Sequence, residues 1–302
     1  MKVSIFFILL LVVTNLTQAW GQGPDMAKIL EEKEETLISM QTKAFIGQVS
    51  FFKGLGECAK AYYSDLIRRA AEESGFPEDK LLEVILLESG CDPKAKNPSG
   101  AAGIGQIMPL TGKDLGLVEY RTIKKKVAVR QKKKIKKISV HKKVIVRDDR
   151  LNPVLAVLAA AKHLAGIAER LGIENAVWAY HAGEGLVKRF FSVARKTPGW
   201  ENEDFTPAKM FFLAHSGKNP ELASMLERFN TKKHDWTSTY LFRVICAGRL
   251  FKSYVAGAFD QENFSCASPR HEEKEKEQEE KEGQGGEGGL VVIGKAESEL
   301  AE

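Results

Sequence analysis

One carboxyl group in this chain sits where a carboxylate is costly to ionise. Glu88 continues the stripe of Leu81, Val84 and Ile85 in LLEVILLES, a spacing that puts all four on one helix face. A carboxyl on an apolar stripe holds its proton longer, which brings its pKa toward the range useful to a general acid. Glu83 falls off that stripe and reads as a solvated carboxylate. Gly90 can adopt left-handed dihedrals and so cap the helix, leaving Glu88 in the last turn. A lone Glu there also fits a helix end facing water, and the next stretch separates the two readings. NPSGAAGIGQIMP holds Gly100, Gly103 and Gly105, which permit a tight loop in close approach to a ligand. Gln106 supplies both a donor and an acceptor, the pair needed to read an amide or a hydroxyl.

The elements that must position these residues are helical. From Thr36 to Glu73, Leu37, Met40, Phe45 and Val49, then Ala59, Tyr62, Leu66 and Ala70, recur at three and four. This predicts two helices, broken near Gly54 and Gly56. Gly75-Phe76-Pro77 separates them from the Glu88 helix. Asn152 is a suitable N-cap and Pro153 a suitable first-turn residue for PVLAVLAAAKHLAGIAERL, which Gly172 closes. Two further stretches carry polar groups on helical patterns. NAVWAYHAGEGLV brings Tyr180 and His181 before Gly183 and Gly185, and HDWTSTYLFRVICAGRL brings Tyr240, which fits the core or a groove wall equally well. Beyond Cys266, HEEKEKEQEEKEGQGGEGG cannot build a core, so 267–302 is expected to be a disordered charged tail.

Between the helices lies a segment of different character. RTIKKKVAVRQKKKIKKISVHKKVIVR alternates β-branched and basic residues, with no Asp or Glu between Tyr120 and Arg147. A period near two predicts a basic β-hairpin over 118–147. Its field would attract a polyanion such as peptide carboxylates, teichoic or lipid phosphates, or nucleic acid. The alternative is a solvated ribbon whose lysines prevent edge-to-edge pairing. Nucleic acid is not expected, because only Tyr120, at the edge, offers a ring for stacking.

An apolar content of 43% in 302 residues supports a sizeable core, and the net charge of +5 is modest. Lys2, the apolar run Ile5 to Val13 and Thr17-Gln18-Ala19 follow the plan of a cleavable export signal over 1–19. The expected location is therefore periplasmic or secreted. Export permits disulfides, and pairing the four cysteines by proximity gives Cys58–Cys91 and Cys246–Cys266. The alternative is that some are buried thiols. Their spacing does not suggest a zinc site, and no metal is expected.

The string ESGCDPKAKNPSGAAGIGQIMPLT resembles the signature of the lytic transglycosylase domain, related in fold to goose-type lysozyme. AYHAGEG resembles a second motif of that family, Ala-Tyr-Asn-Ala-Gly-x-Gly, with His181 in place of Asn. Asp148-Asp149-Arg150-Leu151-Asn152-Pro153 is similar to the Asp-x-Arg-x-x-Pro entry of a membrane-bound branch. A third stretch, with Ser238-Thr239-Tyr240 at its start, looks like a helix many of these domains carry. The resemblance implies a mostly α, lysozyme-like domain over 76–266, with helices in 20–75 packed against it and the hairpin as an insertion. It also implies cleavage of the bond between N-acetylmuramic acid and N-acetylglucosamine in peptidoglycan glycan strands. A glycosidase of the ordinary kind needs two carboxyl groups. The motifs supply only Glu88, since Asp92 lies beyond the capping glycine.

In the implied mechanism Glu88 protonates the glycosidic oxygen and the substrate N-acetyl group stabilises the cationic centre. Glu88 then takes the proton of the C6 hydroxyl as a 1,6-anhydro ring closes, without any cofactor. Gln106 and Tyr180 would hold sugar groups, helped by backbone amides near Gly103. Two positions depart from the family pattern. Asn97 stands where a Ser is frequent, and Gly105 replaces a common Met, which would widen the groove or relax the loop. Other readings are a hydrolysing muramidase of goose-lysozyme type and a catalytically silent glycan-binding envelope protein. A partner in an envelope assembly is not identified by the sequence.

Overall fold

The computed structural model describes residues 26–45, 49–131, 134–229, 237–260 and 264–267. The expected export signal (1–19) and nearly all of the expected tail (267–302) lie outside them. The described residues up to Cys266 form one compact unit. Its helices are α1 (Met26–Met40), α2 (Thr42–Phe45), α3 (Val49–Cys58), α4 (Ala61–Ser74), α5 (Glu78–Ser89) and α6 (Pro109–Asp114), followed by two strands, β1 (Val118–Gln131) and β2 (Lys134–Asp148). Then come α7 (Pro153–Leu171), α8 (Ile173–Ala182), α9 (Glu184–Ala194), α10 (Pro207–His215), α11 (Pro220–Glu227) and α12 (Tyr240–Val255). The unit is mostly α with one antiparallel hairpin, as the periodicities indicate.

Helix α5 is the axis of the site. Leu81, Val84 and Ile85 are fully buried, so the stripe read from the sequence faces the core. Gly90 closes the helix at φ 59°, and its N–H donates to the Leu86 carbonyl. Helix α12 packs against α5, and α7 packs against both α4 and α8. The helix start at Asn152 forms as expected, its side-chain oxygen accepting from the N–H groups of Val154 and Leu155.

Two sequence expectations are corrected. The break foreseen near Gly54 and Gly56 is absent, and α3 runs through both glycines. Gly54 is there because α3 crosses the end of α5 with backbones touching. A Cβ at Gly54 would lie 2.7 Å from the Gly90 Cα, so small residues at a crossing are hard to tell from a break. Glu83, read as solvated, is 3% exposed. It accepts from Lys80 Nζ at 2.8 Å and rests against Gly248 of α12, with burial raising its pKa. Its position sits under α12, an element whose packing the local pattern of α5 does not reveal.

Both disulfides pair by proximity, Cys58 with Cys91 and Cys246 with Cys266. The first ties the end of α3 to the residue after Gly90. Cys91 itself has φ 61°, unusual for a residue with a Cβ. Opening this 33-residue separation by changing both cysteines to serine should cost roughly 3–4 kcal/mol by loop entropy. Urea unfolding checks this, and an unchanged midpoint would show the bridge to be dispensable.

Candidate active site

The loop after α5 is shaped by one guanidinium. Arg150, 4% exposed, donates from Nη1 to the carbonyls of Gly100 (2.8 Å) and Ile107 (2.7 Å). Its Nε and Nη2 pair with the Asp148 carboxylate, both at 2.8 Å. One side chain therefore fastens both ends of the segment 100–107 to the end of β2. Gly103 is pressed against the Arg150 backbone carbonyl at φ 77°, where no Cβ fits. From the α5 side, Ser89 Oγ donates to the Ile104 carbonyl at 2.7 Å.

Glu88 sits partly buried at the end of α5. The Tyr240 hydroxyl donates to its Oε1 at 2.5 Å. Tyr240 is 2% exposed and its ring stacks on His181, centroids 4.3 Å apart and planes within 9°. Burial raises the Glu88 pKa to about 7, opposed by the Tyr240 hydrogen bond and by the positive charge of Arg243. Arg243 lies one turn along α12 from Tyr240, with its guanidinium carbon 5.7 Å from the centre of the Phe45 ring. Among the described residues, no second carboxylate bears on Glu88 electrostatically.

Residues 65–202 match the family model of the transglycosylase SLT domain. That match takes in a little under half of the chain. Over 125 residues it is 34% identical to the peptidoglycan transglycosylase gp16 of Escherichia phage T7, a match covering 41% of this chain and 8% of that protein. It is also similar to a solved inactive mutant of lytic transglycosylase Slt from Pseudomonas aeruginosa, with 13% identity over 68% of this chain and 26% of the other, and a TM-score of 0.37. For the 70-kDa soluble lytic transglycosylase of Escherichia coli the values are 19%, 69%, 26% and 0.36. The chain thus spans a small part of each relative's length.

The SLT match includes Glu88, the glycine loop and Tyr180, and it ends before Tyr240 and Arg243. The two groups that act on the Glu88 carboxyl therefore come from α12, outside the matched segment. Tyr180 is placed beneath the glycine loop, its hydroxyl donating to the Gly105 carbonyl at 2.6 Å. Burial and the Glu88 charge both raise its pKa, so it stays a neutral phenol. Gly105 does not widen the groove as expected. A Cβ there would lie 3.0 Å from the Tyr180 hydroxyl and 3.3 Å from the Ala160 Cβ, so the position is tight.

Gln106, at φ 45°, donates from Nε2 to the Gly103 carbonyl at 2.9 Å. That leaves its side-chain oxygen as the atom that could accept from a sugar. The N–H of Gly103 is used by the Ala95 carbonyl at 2.8 Å, which removes it as a ligand donor. Asn97 is exposed, and its side-chain oxygen accepts from the Ser99 N–H at 2.9 Å, a turn-forming role. The structure thus joins Glu88, Tyr240 and His181 directly, sets Tyr180, Gly103 and Gln106 in the adjoining loop, and leaves Asn97 in an exposed turn. Sequence reasoning missed Arg243 and the clamp made by Arg150. A basic residue inside the apolar run YLFRVICA was the available sign of the first.

Tyr240→Phe keeps the ring stacked on His181 and removes the hydroxyl that favours the ionised carboxyl. The Glu88 pKa should rise by about one to two units, given roughly 1.5–3 kcal/mol for a hydrogen bond to a charged group. Carboxyl titration followed by 13C NMR checks this; an unmoved pKa would mean the hydroxyl does not tune the acid.

Proposed function

We propose that this protein is a peptidoglycan lytic transglycosylase in which Glu88 serves as both acid and base. The observation that carries the reading is a single carboxyl, raised to about 7, with one oxygen held by a phenol and, among the described residues, no carboxylate acting on it. Tyr240 occupies Oε1, which leaves Oε2 to carry the mobile proton. Protonated Glu88 gives that proton to the oxygen between N-acetylmuramic acid and N-acetylglucosamine. The bond breaks as the substrate N-acetyl group stabilises the cationic carbon. The new carboxylate, favoured by Tyr240 and Arg243, then accepts the C6 hydroxyl proton as that oxygen closes a 1,6-anhydro ring. No water is consumed. Gln106 would accept from a sugar hydroxyl, and Tyr180 would hold the loop beneath it through Gly105. The relative's name, peptidoglycan transglycosylase, supports the substrate class.

The same reading places the protein outside the cytoplasm, as an exported enzyme acting in the periplasm or beyond. Two disulfides support this, since such bonds persist in oxidising compartments.

The test is the clearing of purified sacculi followed by turbidity across pH. The first step needs protonated Glu88, so kcat/KM should be level below about pH 6. It should fall roughly tenfold per unit well above the Glu88 pKa of about 7. Absence of clearing at every pH would remove the reading.

A further inference from the structure

The hairpin β1–β2 carries basic side chains on both of its faces. The strands pair antiparallel from Val118↔Asp148 to Gln131↔Lys134, with one irregularity between Glu119 and Tyr120. They run roughly 45 Å at about 3.3 Å per residue. Among the described residues no third strand joins either edge, and side chains 121–127 on β1 are all exposed. Register sorts the described side chains onto two faces. One holds Tyr120, Thr122, Lys124 and Lys126 opposite Ile145, Lys143, His141 and Ser139, its apolar part confined to the Tyr120–Ile145 pair at the base of the hairpin. The other holds Arg121, Ile123, Lys125 and Val127 opposite Val144, Lys142, Val140 and Ile138. On this second face Ile123 is 38%, Val127 36% and Ile138 45% exposed.

A ribbon that bound a polyanion through charge alone would have no use for exposed β-branched residues among its cations. We propose that this second face docks on an anionic lipid bilayer. The apolar side chains of Ile123, Val127 and Ile138 enter the acyl boundary while Arg121, Lys125 and Lys142 meet the phosphates. Alternation of apolar and cationic groups matches the two layers of such a surface, whose headgroups are negative and whose interior is apolar. The first face, polar beyond Tyr120 and Ile145, stays in water. The ribbon lies flat and does not span, because its two unpaired edges would carry unsatisfied backbone groups into hydrocarbon. No described helix is long and apolar enough to cross a membrane. A glycan strand fits this face poorly, since it offers no aromatic platform and no amide cluster. The inference is independent of the chemistry of Glu88.

The full chain is mixed with phosphatidylcholine vesicles, with and without phosphatidylglycerol, and the bound fraction is read by co-sedimentation. Purified sacculi serve as the carboxylate-rich comparison. Binding is expected to the vesicles containing phosphatidylglycerol and to fall about tenfold in the triple variant Ile123→Ser, Val127→Ser, Ile138→Ser, whose charge is unchanged. Lys125→Gln with Lys142→Gln should weaken it comparably. These residues touch nothing in the site, so release of fragments from solubilised glycan should stay at the wild-type rate, which also shows that the variants fold. Vesicle binding retained by the triple variant overturns the proposal and leaves a ribbon acting by charge alone. Binding to sacculi without binding to anionic vesicles overturns it as well, as does binding to neither.

Discussion

Glu88→Gln should abolish wall lysis and, at the same time, make the protein more stable above neutral pH. The amide cannot give a proton to the glycosidic oxygen or take one from a hydroxyl, so both steps of the proposed mechanism would fail. Loss of a general acid costs about 10²–10⁴-fold, and here the same group is also the base. The stability change follows from linkage. Burial raises the Glu88 pKa from 4.5 to about 7 in the folded protein. Between those values the unfolded chain has released its proton while the native state keeps it, so wild-type stability falls as pH rises through that window. Glutamine has no such titration. Relative to wild type, the variant should gain about 1–3 kcal/mol at pH 8, the lower end allowing for partial solvent access, and the gain should vanish below pH 4.5. Urea unfolding at the two pH values reads this. An inactive variant of unchanged stability would place Glu88 in chemistry without the burial inferred for it.

The second large effect lies at the loop clamp. Gly103→Ala forces a Cβ into the backbone carbonyl of Arg150 at a positive φ, so segment 100–107 must leave its place. Arg150→Ala produces the same lesion from the other side. It strands the Asp148 carboxylate and releases the carbonyls of Gly100 and Ile107. Asp148 keeps 28% of its side chain exposed, so the loss falls mainly on the two carbonyls, at roughly 1.5–3 kcal/mol for each hydrogen bond from the charged group, and the glycine change should cost a similar amount. Arg150→Lys should not rescue, because an ammonium cannot reach two carbonyls while pairing with the carboxylate in fork geometry. Since both changes undo one clamp, the double variant should be no worse than the more severe single one. Additive losses in thermal or urea unfolding would show that the two contacts are separate.

These effects mark what local sequence pattern can and cannot carry. The stripe from Leu81 to Glu88, its cap at Gly90, the Asn152 start and the alternation of β1 and β2 were all legible, because each depends on residues within a few positions. The crossing at Gly54 was misread, because only the distant backbone of Gly90 explains that glycine. Glu83 was misread for the same reason, its burial being imposed by α12 more than 150 positions later. At the site, Glu88 and the glycine loop were visible as a contiguous string. Tyr240 was visible without its role, since its contact with Glu88 spans 152 positions. Arg150 reads from the sequence as part of a helix entry, and nothing local shows that its guanidinium holds the loop.

Mass analysis of the fragments released from purified peptidoglycan tests the central claim most directly. One carboxyl acting as acid and then base, with no water consumed, requires fragments that end in 1,6-anhydromuramic acid. Fragments with reducing muramic acid ends, heavier by one water, would contradict it and make the protein a hydrolase.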